Sequence, residues 1–142
     1  MGINTNLGAM YELGQGVPQD YQEALKWYRL AADKGFASAQ YNLGLMYYSG
    51  QGVTQDYKEA FKWFKLSEDQ GHAKAQFNLG VMYANGQGVT QDYVQAHMFW
   101  NIAAANGYAE ARGNRDIIAK RMTPNQIEQS QKLASEWMEK NK

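Results

Sequence analysis

A 36-residue internal repeat constrains this 142-residue chain more than any other feature of its sequence. Residues 37–72 and 73–108 are identical at 18 of 36 positions, and residues 1–36 follow the same pattern. Each copy contains Leu-Gly-x-Met-Tyr, then Gly-Gln-Gly-Val, then Asp-Tyr, and a glycine near its end. Tandem copies of this length are typical of repeat proteins, in which neighbouring units stack and bury a continuous core.

The first half of each repeat is predicted to form a helix, called helix A. In the second repeat Ala39, Leu43 and Tyr47 recur every four residues and mark one buried stripe. Gly44 lies inside this helix at a cost of about 1 kcal/mol relative to alanine, which indicates that another helix approaches closely there. Gly50 is suited to end helix A in the left-handed conformation.

The second half of each repeat is predicted to form helix B, antiparallel to helix A. It opens with an aspartate followed three residues later by Glu or Gln, the pattern of a capping box. These pairs are Asp20/Glu23, Asp56/Glu59 and Asp92/Gln95. Ala60, Phe64 and Ser67 recur on its buried face, and Gly71 closes the repeat. The predicted fold class is therefore all-α.

Together these residues form the pattern Ala-x-Ala-Gln-x-Asn-Leu-Gly-x-Met-Tyr-x-x-Gly-x-Gly-Val-x-x-Asp-Tyr-x-x-Ala. This pattern resembles the Sel1-like repeat, a relative of the tetratricopeptide repeat. The resemblance implies one domain, a right-handed α-solenoid of antiparallel helix pairs with a C-terminal capping helix. Its predicted parts are repeats at 1–36, 37–72 and 73–108, and a partial repeat with the cap at 109–142.

The last 34 residues depart from the repeat pattern and are predicted to form two helices, over about 109–122 and 124–140. Thr123, Pro124 and Gln126 are typical of a helix start with a capping box. The final helix is expected to pack against the preceding repeat through its apolar side chains. These are Ile127, Ala134, Trp137 and Met138.

The other end of the chain starts in phase with the repeat, because Met1 aligns with Ala37 at the first residue of helix A. No cap precedes it, which predicts either a piece of a longer array or an exposed end that binds another copy. A native start at Met1 would place the protein in the cytoplasm. Loss of a signal peptide would instead place it in the periplasm or outside the cell.

Composition argues against several function classes. Fourteen basic and fourteen acidic residues give zero net charge, which disfavours nucleic acid as a partner. No apolar run is long enough for a membrane span, and no cysteine is present. His72 and His97 occupy unrelated repeat positions, so we expect no metal or other cofactor.

No arrangement of residues suggests catalysis. The sequence offers no Ser/His/Asp set, and its Gly-x-Gly turns join two helices rather than following a strand. We therefore expect a non-enzyme with no catalytic residues. Some proteins of similar sequence have been described as penicillin-binding or β-lactamase proteins, which leaves β-lactam binding or hydrolysis as a remote alternative.

The resemblance implies that helix A lines a concave surface, and that proteins of this kind serve as adaptors in bacteria and eukaryotes. We therefore predict that the side of helix A opposite Leu43 binds a peptide or protein partner. Asparagine amides there can donate to and accept from a peptide backbone, and methionines adapt to varied side chains. The predicted contact residues are Asn6, Asn42, Asn78, Asn114, Met10, Met46, Met82, Leu45, Val81, Asn85 and Arg121.

The predicted contact residues, and two further candidate surfaces, each have a structural alternative. The asparagines would instead bond to neighbouring helices, and the methionines would belong to the core. Two further surfaces are candidates for binding. The partial repeat carries a basic cluster, which either binds an acidic group of a partner or forms local ion pairs with Glu110 and Asp116; it comprises Arg112, Arg115, Lys120 and Arg121. Helix B of the third repeat carries an uncharged surface, which is either a contact site or ordinary sequence variation between repeats; it comprises Val94, His97, Met98 and Asn101.

Overall fold

The computed structural model describes residues 2–142, and this part of the chain forms eight α-helices and no strand. The helices are α1 (Ile3–Leu13), α2 (Tyr21–Asp33), α3 (Ala37–Ser49), α4 (Tyr57–Glu68), α5 (Ala73–Asn85), α6 (Tyr93–Ala105), α7 (Glu110–Ala119) and α8 (Pro124–Lys140). Helices α1, α3 and α5 are the predicted helices A, and α2, α4 and α6 are the predicted helices B. The all-α prediction is confirmed, while Met1 lies outside the described residues.

An aspartate side chain caps the start of each helix B. Asp56 Oδ1 accepts hydrogen bonds from the backbone N–H groups of Lys58 and Glu59, at 3.0 and 3.2 Å. The predicted capping box is incomplete, because the Asp56 N–H donates to the Tyr47 carbonyl at 2.9 Å and is not left for Glu59. The same backbone bond to a helix-A tyrosine is made by Asp20 and Asp92. This bond fixes the turn between the two helices of a repeat.

The glycine inside each helix A lies against an aromatic ring of helix B from the same repeat. A Cβ added to Gly44 would lie 2.8 Å from the Phe64 ring, which is closer than real contacts allow. The equivalent pairs are Gly8 with Tyr28 and Gly80 with Trp100. The predicted close approach is therefore real, and it is made by a large side chain.

Residues 2–70 form one compact unit, in which α2 packs against α1 and α3, and α4 packs against α3. Tyr28, Leu43, Met46 and Trp63 belong to its core. The Tyr28 hydroxyl donates to a carboxylate oxygen of Glu12 at 2.7 Å. Burial, together with this carboxylate, raises the pKa of Tyr28 far above its ordinary value, so the phenol stays neutral in the folded unit.

Gly71–Lys142 forms a second compact unit, in which α6 contacts α5, α7 and α8. The His97 ring is only 4% exposed, and its Nδ1 lies 2.6 Å from the Ser130 hydroxyl of α8. Met98 is buried as well. The uncharged helix-B surface is therefore largely covered by the chain itself and is not an open contact site.

The link between α7 and α8 is tighter than predicted. Helix α7 ends at Ala119, three residues before the predicted end at Met122. The next three N–H groups bond to carbonyls three residues earlier, which narrows the last turn. Thr123 and Gln126 then form the predicted capping box at the start of α8.

The stability of the second unit is expected to fall as pH drops below the ordinary pKa of histidine, about 6.5. Burial and the nearby Arg115 lower the pKa of His97, partly offset by Asp116, so protonation favours the unfolded chain. The stability that neutral His97 confers is thus present above about pH 6.5 and lost as pH falls. Urea unfolding measured from about pH 8 to about pH 5.5 tests this.

The matched variant combines His97→Leu with Ser130→Ala, which removes both polar partners and places leucine where Leu25 stands in the first repeat. It should lose less stability on acidification than the original chain. Burial also lowers the pKa of His72, so His72→Gln measures the contribution of the second histidine separately. If the free energy of unfolding of the double variant falls with pH as steeply as that of the original chain, His97 does not cause the loss of stability.

Candidate functional site

An open pocket of about 240 Å³ lies in the second unit, between α5 and α7 and above Trp100 of α6. Its lining residues are Val81, Ala84, Asn85, Trp100, Asn114, Ile117 and Ile118. Val81, Asn85 and Asn114 are among the predicted contact residues, and the structure brings these three together. Small-molecule sites typically occupy roughly 300–1,000 Å³, so this pocket is sized for one large side chain.

The pocket exists because a small residue stands over Trp100. The positions equivalent to Ala84 carry Glu12 and Tyr48 in the first two repeats. Glu12 accepts a hydrogen bond from the helix-B aromatic residue of its own repeat, and the ring of Tyr48 lies 6.4 Å from that of Phe64. Ala84 is shorter than either, and Trp100, which is 5% exposed where Tyr28 and Phe64 are fully buried, lines the pocket. The repeat alignment shows the small residue at this position, but neither Ala84 nor Trp100 was predicted as a site residue.

The Trp100 ring is held in place by a hydrogen bond and by close packing. Its Nε1 donates to the Phe77 carbonyl at 3.1 Å, and the same edge of the indole lies against Gly80. Trp100 is only 5% exposed, so the residues packed around its side chain leave it little room to reorient. The base of the pocket is therefore rigid and formed before any ligand arrives.

The asparagines of helix A are accessible. Asn6 is exposed and the other three are half-buried; the set is Asn6, Asn42, Asn78 and Asn114. Within residues 2–142 none of these side chains makes a hydrogen bond, and neither does that of Asn85. The alternative, in which each amide bonds to a neighbouring helix, is therefore not observed. Leu45 is half-buried on α3 in the first unit.

The predicted methionine contacts need correction. Met46 and Met82 are fully buried and belong to the core. Met46 follows Ala39 by seven residues, nearly two helical turns, so it lies on the buried stripe rather than on the accessible side. Met10 is half-buried on the corresponding stripe of α1, where Ile3 is 76% exposed.

The basic cluster does not act as one group. Arg115 donates from Nη1 to Asn101 Oδ1 at 3.0 Å and from Nε to Asp116 Oδ1 at 3.2 Å. The remaining three side chains are exposed and form no ion pair within residues 2–142; they are Arg112, Lys120 and Arg121. Local pairing therefore accounts for one of the four cations only.

The three repeats match a known protein family. The family model of the Sel1 repeat matches three consecutive segments, residues 4–36, 37–72 and 73–108. The chain belongs to the Sel1 repeat family. The predicted Sel1-like resemblance is thus confirmed. Comparison with curated proteins gives no match.

Solved Sel1 repeat structures are similar to this chain over most of its length. A Sel1 repeat protein from Oxalobacter formigenes is 35% identical, with a TM-score of 0.78 over 80% of this chain and 45% of the other. The protective antigen c5321 of uropathogenic Escherichia coli, which displays an SLR fold, is 38% identical, with a TM-score of 0.83 over 97% of this chain and 29% of the other. The chain thus spans less than half the length of either relative.

A third similarity concerns the fold alone. Cysteine-rich protein B of Helicobacter pylori is 19% identical, with a TM-score of 0.65 over 79% of this chain and 96% of the other. Together with the all-helical structure, these similarities confirm that the Sel1 repeats form an α-solenoid fold.

Membership of this family indicates a general class of function. Sel1 repeats commonly mediate protein interactions, and Sel1 repeat proteins are generally non-catalytic scaffolds. Among the described helices, none combines the length and the apolar character that a membrane crossing requires. Residues 2–142 contain no group of three His, Cys, Asp or Glu side chains placed to hold a metal ion.

Proposed function

We propose that this protein is a non-catalytic interaction module that binds an extended peptide segment of a partner protein. One large apolar side chain of that segment enters the pocket between α5 and α7. The observation that carries this proposal is the pocket that Trp100 lines beside Asn85 and Asn114, whose amides lack hydrogen bonds in the described chain. None of the seven lining side chains is an ordinary acid, base or nucleophile, which favours binding over catalysis.

The pocket supplies affinity and the amides supply orientation. Burying a leucine-sized side chain contributes about 1.5–3 kcal/mol, and the rigid Trp100 ring needs no rearrangement to receive it. Asn85 of α5 and Asn114 of α7 both line the pocket, where each can pair with a peptide N–H and C=O. Asn78 lies on the same stripe of α5 as Asn85, seven residues earlier, and extends the polar edge.

Filling the pocket is expected to abolish most of this binding. Ala84→Tyr places over Trp100 the residue type that stands at Tyr48 in the second repeat. Peptides selected on the original protein from a random display library should bind Ala84→Tyr at least about tenfold more weakly, since 1.4 kcal/mol is tenfold in affinity. Fluorescence anisotropy with labelled selected peptides measures the change.

The matched control is Ala105→Tyr, which makes the same chemical change at an exposed position at the end of α6. It should bind the selected peptides as the original protein does. Asn114→Ala tests the amide separately and should weaken binding while circular dichroism stays unchanged. Equal binding by Ala84→Tyr and the original protein would show that this pocket is not the site.

Self-association through the first repeat is a second candidate, favoured by one observation. Ile3 is 76% exposed, whereas the three residues at its repeat position, Ala39, Ala75 and Ala111, are fully buried. It borders a second pocket of about 410 Å³ that Phe36 and Lys34 also line. A second copy of the chain would cover this apolar face.

Sedimentation equilibrium over a range of protein concentrations tests this candidate. The original chain should show a rise in mass with concentration that Ile3→Asp suppresses and Leu13→Asp leaves intact. Leu13 is the control because it is also exposed, at 61%, but lies outside this pocket. A constant monomer mass for the original chain would contradict self-association.

A further inference from the structure

The structure also points to the chemical class of the bound segment. Resting on the proposed function, we infer that the peptide is acidic, with a carboxylate side chain close to the apolar residue in the pocket, and that Arg121 receives this carboxylate.

Arg121 lies just beyond the pocket wall formed by α7, two residues after the helix ends at Ala119. Its backbone N–H donates to the Ile118 carbonyl at 2.9 Å, which keeps it within one turn of the lining residues Ile117 and Ile118. It stands seven residues after Asn114, in the turn that joins α7 to α8. A peptide that contacts Ile117 and extends past the end of α7 would meet the Arg121 side chain.

The charges near this end of the pocket are unbalanced. Residues 110–121 contain four cations and two carboxylates. Asp116 is held by Arg115 at 3.2 Å, and the Glu110 carboxylate lies beside the Tyr108 hydroxyl, where burial and Glu110 together raise the pKa of Tyr108. Arg121 is left exposed without an ion pair in the described chain. The charge complementary to this end of the pocket is negative.

The repeat register shows where this charge is placed. The positions equivalent to Arg121 are Leu13, Ser49 and Asn85, none of which is charged. Asn85, the last residue of α5, and Arg121, two residues beyond α7, thus occupy the same repeat position. The α5 side of the pocket offers a neutral amide and the end of the α7 side offers a guanidinium, which gives a bound peptide a preferred direction. Guanidinium groups bind carboxylates through paired hydrogen bonds.

Two capped peptides of equal length test the inference. One is N-acetyl Asp-Glu-Leu-Glu-Asp amide and the other is N-acetyl Asn-Gln-Leu-Gln-Asn amide, so neither carries a terminal carboxylate. Titration into the ¹⁵N-labelled full chain should shift the backbone signals of Asn85, Asn114 and Ile117 with both peptides. We expect the acidic peptide to bind about tenfold more tightly in low salt. This advantage should shrink at about 1 M salt, where the Debye length is about 3 Å.

The decisive variant is Arg121→Gln, which should lower the affinity for the acidic peptide about threefold to fivefold and leave the neutral peptide unaffected. Arg112→Gln is the matched control, because Arg112 is also exposed and unpaired in the described chain but lies on the opposite side of α7 from Asn114. It should change the affinity for the acidic peptide by less than about twofold.

Each outcome bears on the inference separately from the proposed function. Equal binding of the two peptides, or equal losses in Arg121→Gln and Arg112→Gln, would overturn the acidic assignment and leave peptide capture intact. Failure of both peptides to bind at millimolar concentration would also overturn it. Peptide capture itself is tested separately, by whether Ala84→Tyr loses affinity for the library-selected peptides.

Discussion

Gly80→Ala is expected to lower the free energy of unfolding by about 1–3 kcal/mol, the usual cost of overpacking a core. Alanine is the better helix former by about 1 kcal/mol, so helix propensity alone predicts the opposite sign. The new methyl group would overlap the Trp100 ring. That ring is hydrogen-bonded to the Phe77 carbonyl and almost fully buried, so it has little room to move away.

Gly113→Ala is the matched control for this prediction. Gly113 also lies inside a helix, α7, but an added Cβ there would meet no atom within 4 Å. The control is expected to stabilise the protein by up to about 1 kcal/mol. Urea unfolding followed by circular dichroism gives both values. Stabilisation by Gly80→Ala would show that the indole can shift, and that the base of the pocket is not rigid.

Ala134→Asp is expected to lower the free energy of unfolding by about 3 kcal/mol or more, as an uncompensated buried charge does. Ala134 is 1% exposed in the second unit, on the helix that contacts α6. Ser130, one turn earlier on α8, is fully buried against His97. A carboxylate at Ala134 would therefore lose its hydration without gaining a partner.

The neighbouring substitution Ser135→Asp separates burial from a general effect of negative charge on α8. Ser135 is exposed, so this variant should unfold within about 0.5 kcal/mol of the original protein. Thermal and urea unfolding of the two variants side by side measure the difference. Equal stabilities would mean that α8 is not closely packed on α6 in solution.

Much of the local structure could be predicted because each feature depends on residues close together in the chain. Glycine at Gly50 ends α3 in the left-handed conformation as expected, with φ of 73°. The aspartate caps of the helices B depend on donors two or three residues away. The capping-box prediction was incomplete because the competing acceptor, the Tyr47 carbonyl, belongs to the other helix of the repeat.

The candidate site could be predicted only in part. The helical period of helix A identified the accessible side that carries Asn114, Val81 and Asn85. It also included Met46 and Met82, which are buried because seven residues bring them back onto the core stripe. Ala84 and Trp100, which create the pocket, come from different helices and were not predicted.

By itself the sequence determined the repeat length, the helix pairs, their caps and the family, since these follow from residues within one 36-residue unit. Only the tertiary structure decided which surfaces remain accessible. Helix α8 covers the uncharged side of α6 through contacts such as His97 with Ser130, which are 33 residues apart in the chain. The pocket likewise depends on α5, α6 and α7 together, because burial is set by which helix packs where and not by local periodicity.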